Sequence, residues 1–134
     1  MPDFQTIVDD FAFLDDWEER YKYIIDLGNQ LAPLKDDELT DVNKVRGCAS
    51  QVWLTFDSPD AETLHFRGES DAHIVRGLIA LLIALYDGQS KADAVNIDPK
   101  VELAKLDLED HITPQRSNGL VSMIERIRRQ AGAT

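Results

Sequence analysis

The sequence predicts an α+β fold, on three observations. Apolar residues recur at helical spacing over the first thirty or so positions, one central stretch alternates with a period of two, and further helical patterns follow to the end. Two helices, a small antiparallel sheet and then more helices make a segregated α+β architecture rather than an alternating one.

Phe4, Ile7, Val8, Phe11 and Leu14 mark one face of a first helix running to about Phe13. Asp15 with Glu18 three positions on has the form of a capping box, and Trp17, Tyr21, Ile24, Gly28 and Leu31 follow at helical spacing, so a second helix is expected over about Asp16 to Gln30. Pro33 and the acidic Asp36-Asp37-Glu38, read as a solvated face, end that pattern, and Leu39 to Lys44 reads as an irregular approach to the next element. Val52, Leu54 and Phe56 alternate with Trp53 and Thr55. Ser58-Pro59-Asp60 then turns the chain into Thr63 to Arg67, which completes a hairpin with Trp53 assigned to the core. Ser70 is the expected cap of a third helix whose apolar residues, from Ile74 to Leu85, lie nearly all round it, the pattern of a buried central helix. Ser90 and Asp98-Pro99 open two short helices. Thr113-Pro114 opens the last, with Leu120, Met123, Ile124 and Ile127 inward and Arg126, Arg128 and Arg129 near its C-terminal end, where cations complement the helix dipole.

A chain of 134 residues, 43% hydrophobic, is long enough for a core and is read as one domain over 1–134. Its most apolar uncharged stretch, Gly77 to Tyr86, is too short to span a bilayer, and the N-terminus has no basic region before an apolar run. A cytoplasmic location is therefore expected. The net charge of −11 is uneven: residues 1–43 hold 12 acidic and 3 basic side chains, residues 44–134 hold 13 and 11. Such a field repels nucleic-acid backbones and anionic membranes, and suits solubility or a protein partner with a basic face.

The stretch Val45-Arg46-Gly47-Cys48-Ala49-Ser50-Gln51-Val52-Trp53 carries the single cysteine of the chain at the mouth of the first strand. The glycine before it permits a positive φ or a close approach, so the thiol sits on a loop held by a rigid element. One cysteine cannot form an internal disulfide, a cysteine-rich zinc site or an iron–sulfur site. A mixed metal site of Cys48 with His65, His73 or His111 lacks ligand-type spacing. A cysteine-dependent hydrolase would need His73 or His111 as a base, and no local signature of such families surrounds the thiol. A third chemistry uses the lone thiolate as a carrier that takes the outer sulfur of a partner's persulfide, for which the lack of a resolving cysteine is an advantage.

Gly47-Cys48-Ala49-Ser50-Gln51-Val52-Trp53 resembles the Gly-Cys-Gln-Ser-Gln-Val-Trp motif of the SufE family, the sulfur acceptors that work with cysteine desulfurases in iron–sulfur cluster assembly. Trp17-Glu18-Glu19-Arg20-Tyr21 through Gly28 is similar to the family's second helix, Gly68-Glu69-Ser70-Asp71 through Ile79 to the start of its central helix, and Thr113-Pro114-Gln115-Arg116-Ser117-Asn118-Gly119-Leu120 to its C-terminal signature. Ser50-Gln51-Val52-Trp53 favours SufE proper over the related CsdE branch. Ala49 departs from the motif, where the family has a glutamine.

The resemblance implies an α+β fold shared with IscU-type scaffolds, a Cys48 that packs toward an apolar hollow when idle, and a persulfide-forming role for that thiol. It implies no cofactor and no metal of the protein's own. The implied partners are a SufS-type pyridoxal-phosphate cysteine desulfurase and a downstream iron–sulfur scaffold complex; a homodimer is left open. Asp71 and Arg116 are candidate supporting or partner-contact residues. Arg116 is a cation in the first turn of the last helix, where it opposes the dipole, and Asp71 stands at the start of the central one. Each also has a structural reading, as surface exposure or as a dipole complement.

Overall fold

The computed structural model describes residues 1–57 and 62–132, and its fold is α+β. Helices α1 (Phe4–Phe13) and α2 (Trp17–Asn29) lead through a 3₁₀ turn at Asp36–Glu38 to strands β1 (Val52–Asp57) and β2 (His65–Ser70). Helix α3 (His73–Tyr86), two short helices α4 (Lys91–Asn96) and α5 (Pro99–Ala104), and α6 (Pro114–Gln130) follow.

The side chain of Asp3 caps α1 by accepting from the Thr6 N–H at 2.8 Å, and Phe4, Ile7 and Phe11 turn inward. The cap of α2 is Asp16, one residue later than the sequence pattern suggests. The helix starts at Trp17, so Asp16 holds the extended backbone a cap requires and accepts from Glu19 N–H at 2.9 Å. Ser90, Asp98 and Thr113 cap α4, α5 and α6 as read from the sequence.

The two strands form one antiparallel pair with Val52 opposite Ser70 and Asp57 opposite His65. β2 thus starts later than the expected Thr63 and runs to Ser70, while Thr63 makes an isolated bridge with Ser90. Ser70 is therefore not the cap of α3. It pairs with Val52 and its hydroxyl accepts from the Ala72 N–H at 3.2 Å, leaving Ala72 at the cap position without a side-chain bond. The turn expected at Ser58-Pro59-Asp60 lies outside the described residues. Val52 and Leu54 face the core. Trp53, assigned to the core from the sequence, points to the opposite face beside Glu69 and is only half-buried, as the period-two alternation of a strand requires.

Helix α3 is the centre of the molecule, with ten of its fourteen residues buried. Each large apolar side chain fully buried there contributes about 1.5–3 kcal/mol before entropy is counted. Its crossing with α2 is backbone on backbone. A Cβ on Gly77 would lie 2.3 Å from the Ile24 carbonyl oxygen, and one on Gly28 would lie 2.6 Å from the Gly77 nitrogen, so this pair of glycines sets the interhelical distance. The acidic turn before the cysteine stretch is not simply solvated. Glu38 accepts from the Arg67 guanidinium, which also reaches Asp57, so the segment is tied to the sheet.

Candidate functional site

The thiol loop is closed at its base. The Val45 N–H donates to the Val52 carbonyl at 2.8 Å, the Leu54 N–H to the Asn43 carbonyl at 2.9 Å, and Lys44 bridges Trp53, so the chain enters and leaves the loop beside β1. Val45 is buried and anchors the near side. Between Val45 and Val52 the chain makes a short excursion with Cys48 near its tip. Gly47 takes φ +87°, and a Cβ there would meet the Ser122 hydroxyl at 2.6 Å; the loop can lie on α6 only with glycine at this position.

Cys48 is half-buried in a shallow hollow of ≈ 270 Å³, open mouth included, floored by Val75, Leu78 and Met123 and walled by Gln115, Arg116 and Gly119 of α6. Its thiol donates to the Gly119 carbonyl at 3.6 Å. Removal from water penalises the thiolate and pushes the Cys48 pKa above the ordinary value. Burial is the cause of that shift, and no neighbouring charge contributes to it. Arg46 itself is exposed and has no ion pair among the described residues.

The structure brings both supporting candidates to this loop, in different ways. Asp71 is exposed between β2 and α3 and holds the far side of the loop. Its carboxylate accepts from the Gln51 N–H at 3.1 Å and its own N–H donates to the Gln51 carbonyl at 3.3 Å. Arg116 lines the hollow with Cys48 and has no carboxylate partner among the described residues. Ala49, in the place of the motif's glutamine, is exposed at the rim.

Two further residues build the site and escape sequence reasoning. Arg126, read above as a dipole complement, donates to the Val42 carbonyl at 2.7 Å and to the Lys44 carbonyl at 3.3 Å, stapling the approach to the loop onto α6. Ser122 supplies the surface that Gly47 crosses. Both contacts join residues some eighty positions apart, a separation that no local pattern reveals.

Among the described residues no histidine hydrogen-bonds to Cys48. His65 stands 3.4 Å from Asp87, His73 is the exposed first residue of α3, and His111 stacks on Trp17. Among those residues no group of three or more His, Cys, Asp or Glu side chains could hold a metal ion, and no helix formed by them is long and apolar enough to cross a membrane.

Fold and site together define an α+β protein that presents one thiol from a braced loop in an apolar hollow. The chain belongs to the SufE family: the family described as "SufE: Fe-S metabolism associated domain" matches residues 5–131, which gives the protein a place in iron–sulfur metabolism. Uncharacterised SufE-like proteins of Rhizobium meliloti and Rhizobium etli are 49% and 47% identical to it, each over 98% of this chain and over 96% and 90% of their own lengths. A hypothetical protein from Thermus thermophilus, solved in solution, shares the fold with a TM-score of 0.75 at 18% identity, over 96% of this chain and 92% of its own.

Proposed function

We propose that this protein is the sulfur acceptor and activator of a SufS-type, pyridoxal-phosphate-dependent cysteine desulfurase, acting in the cytoplasm as one domain over its 134 residues. The observation that carries the reading is the placement of the chain's lone thiol, in the motif Gly47-Cys48-Ala49-Ser50-Gln51-Val52-Trp53, at a loop tip that rests in an apolar hollow. The thiolate of Cys48 attacks the outer sulfur of the desulfurase persulfide. The donor's S–S bond breaks, the desulfurase cysteine leaves as a thiolate, and the new S–S bond is on Cys48; atoms and electrons balance without an external oxidant. A second exchange of the same kind passes the sulfane sulfur to a downstream iron–sulfur scaffold complex. Removing sulfur from the desulfurase frees it for another turnover, which is the activation.

The half-buried resting thiol suits a carrier. A nucleophile kept protonated by desolvation is protected from adventitious oxidation and becomes reactive when the loop leaves the hollow. A hydrolase has less support, since the partner of the thiol is a carbonyl and not an imidazole.

Incubation with the desulfurase and free cysteine should add the mass of one sulfur to the intact chain, removable by reductant. Cys48→Ser should stay unmodified, keep its fold and lose all rate stimulation. Full stimulation by Cys48→Ser, or an adduct that persists in it, would leave surface binding alone as the better account.

A further inference from the structure

The α6 wall of the hollow must be held in place, yet little of α6's first turn is itself buried: Thr113, Pro114 and Gln115 are exposed and Arg116 is only partly covered. What anchors that turn stands just before it. The His111 ring lies on the Trp17 indole with centroids 4.0 Å apart and planes 16° from parallel. Trp17, the first residue of α2, is fixed from other sides: it meets Phe11 edge-on at 6.2 Å and Tyr21 at 5.7 Å, and the Arg20 guanidinium lies 5.3 Å from its centroid. The segment that carries His111 is pinned upstream by buried Leu106 and Leu108 and by a hydrogen bond from the His111 N–H to the Leu108 carbonyl at 2.9 Å. Two residues beyond His111, Thr113 caps α6, and Gln115 and Arg116 then reach the hollow.

We propose that the Trp17–His111 stack is a positioning strut for the thiol site, holding the first turn of α6, with Gln115 and Arg116, over Cys48. The strut ties the second helix to the wall of the hollow, two regions far apart in the chain, and neither ring touches the thiol. Both residues are therefore positioning residues and not catalytic ones. Stacking of two flat rings supplies a fixed separation and orientation that an aliphatic contact would not. Losing it should let the turn swing, uncovering the sulfur without unfolding the core, which is built on α3.

The test reads Cys48 directly and needs no desulfurase, so it can fail while sulfur transfer stands, and the reverse. Alkylation of the full chain by iodoacetamide, well below its melting temperature, should be about fivefold faster in His111→Ala than in the native protein, and back near the native rate in His111→Phe, which restores a stacking ring. If His111→Ala does not fold, Trp17→Phe, with a smaller face, should give about a twofold increase. A lowered melting temperature with native alkylation rates in the folded variants, or failure of His111→Phe to restore protection, would reduce the stack to a stabilising contact and overturn the proposal.

Discussion

Cys48 and Gly119 are in direct contact: the sulfur lies 3.6 Å from the Gly119 carbonyl oxygen, and a Cβ added at 119 would stand 3.4 Å from it. Glycine inside a helix costs roughly 0.5–1 kcal/mol relative to alanine. At this position it leaves room beside the thiol, and a persulfide needs room for one more sulfur.

Gly119→Ala should therefore raise stability by up to about 1 kcal/mol while weakening the protection of the outer sulfur. The methyl makes ordinary contact with the resting thiol but competes with a bound sulfane sulfur for the same space. Thermal melting should show the gain, and trapping of the preformed persulfide with a thiol-specific reagent should show faster loss of the label than in the native protein. Equal lifetimes would mean that the extra sulfur points away from α6.

Much of this was legible beforehand, for identifiable reasons. The helical periods, the Ser90, Asp98 and Thr113 caps and the strand at Val52 are local patterns, and each appears where its residues say. Trp53 was not legible because its size argues for the core while its parity in the strand puts it on the other face. Ser70 was not, because a serine before a helix can also end a strand and bond two residues ahead. At the site, the glycine–cysteine dipeptide announced the loop, but its bracing did not show: Arg126 on two carbonyls, Ser122 under Gly47 and His111 on Trp17 are all contacts of long sequence separation.

Arg116 occupies the first turn of α6, where a cation opposes the positive end of the helix dipole at a cost of about 0.3–1 kcal/mol. Arg116→Ala should for that reason leave the melting temperature unchanged or slightly higher. Desulfurase stimulation should fall several-fold, because the guanidinium lines the hollow and has no carboxylate partner among the described residues. Arg116→Lys should recover only part of it, since an ammonium lacks the planar fork. Unchanged stimulation accompanied by a large loss of stability would make the residue purely structural.

The burial of Cys48 makes a prediction about pH whose sign is definite. Desolvation raises the folded-state thiol pKa above its unfolded value. The neutral, half-buried thiol therefore contributes stability that is fully present below the unfolded value and is lost as pH rises through the folded one. Between those limits the native protein should lose stability with rising pH more steeply than Cys48→Ser, in which every other titrating group is the same. Denaturant titrations of the two chains from neutral to alkaline pH measure the difference. Reactivity should follow the same curve: the alkylation rate of the free protein should climb about tenfold per pH unit until the folded pKa is reached, with a midpoint above that of an unstructured cysteine peptide. Binding to the desulfurase, if it draws the loop out of the hollow, removes the cause of the shift, and the midpoint should then move down toward the peptide value. A free-protein midpoint at or below that of the peptide would show that the thiol is not held protonated at rest.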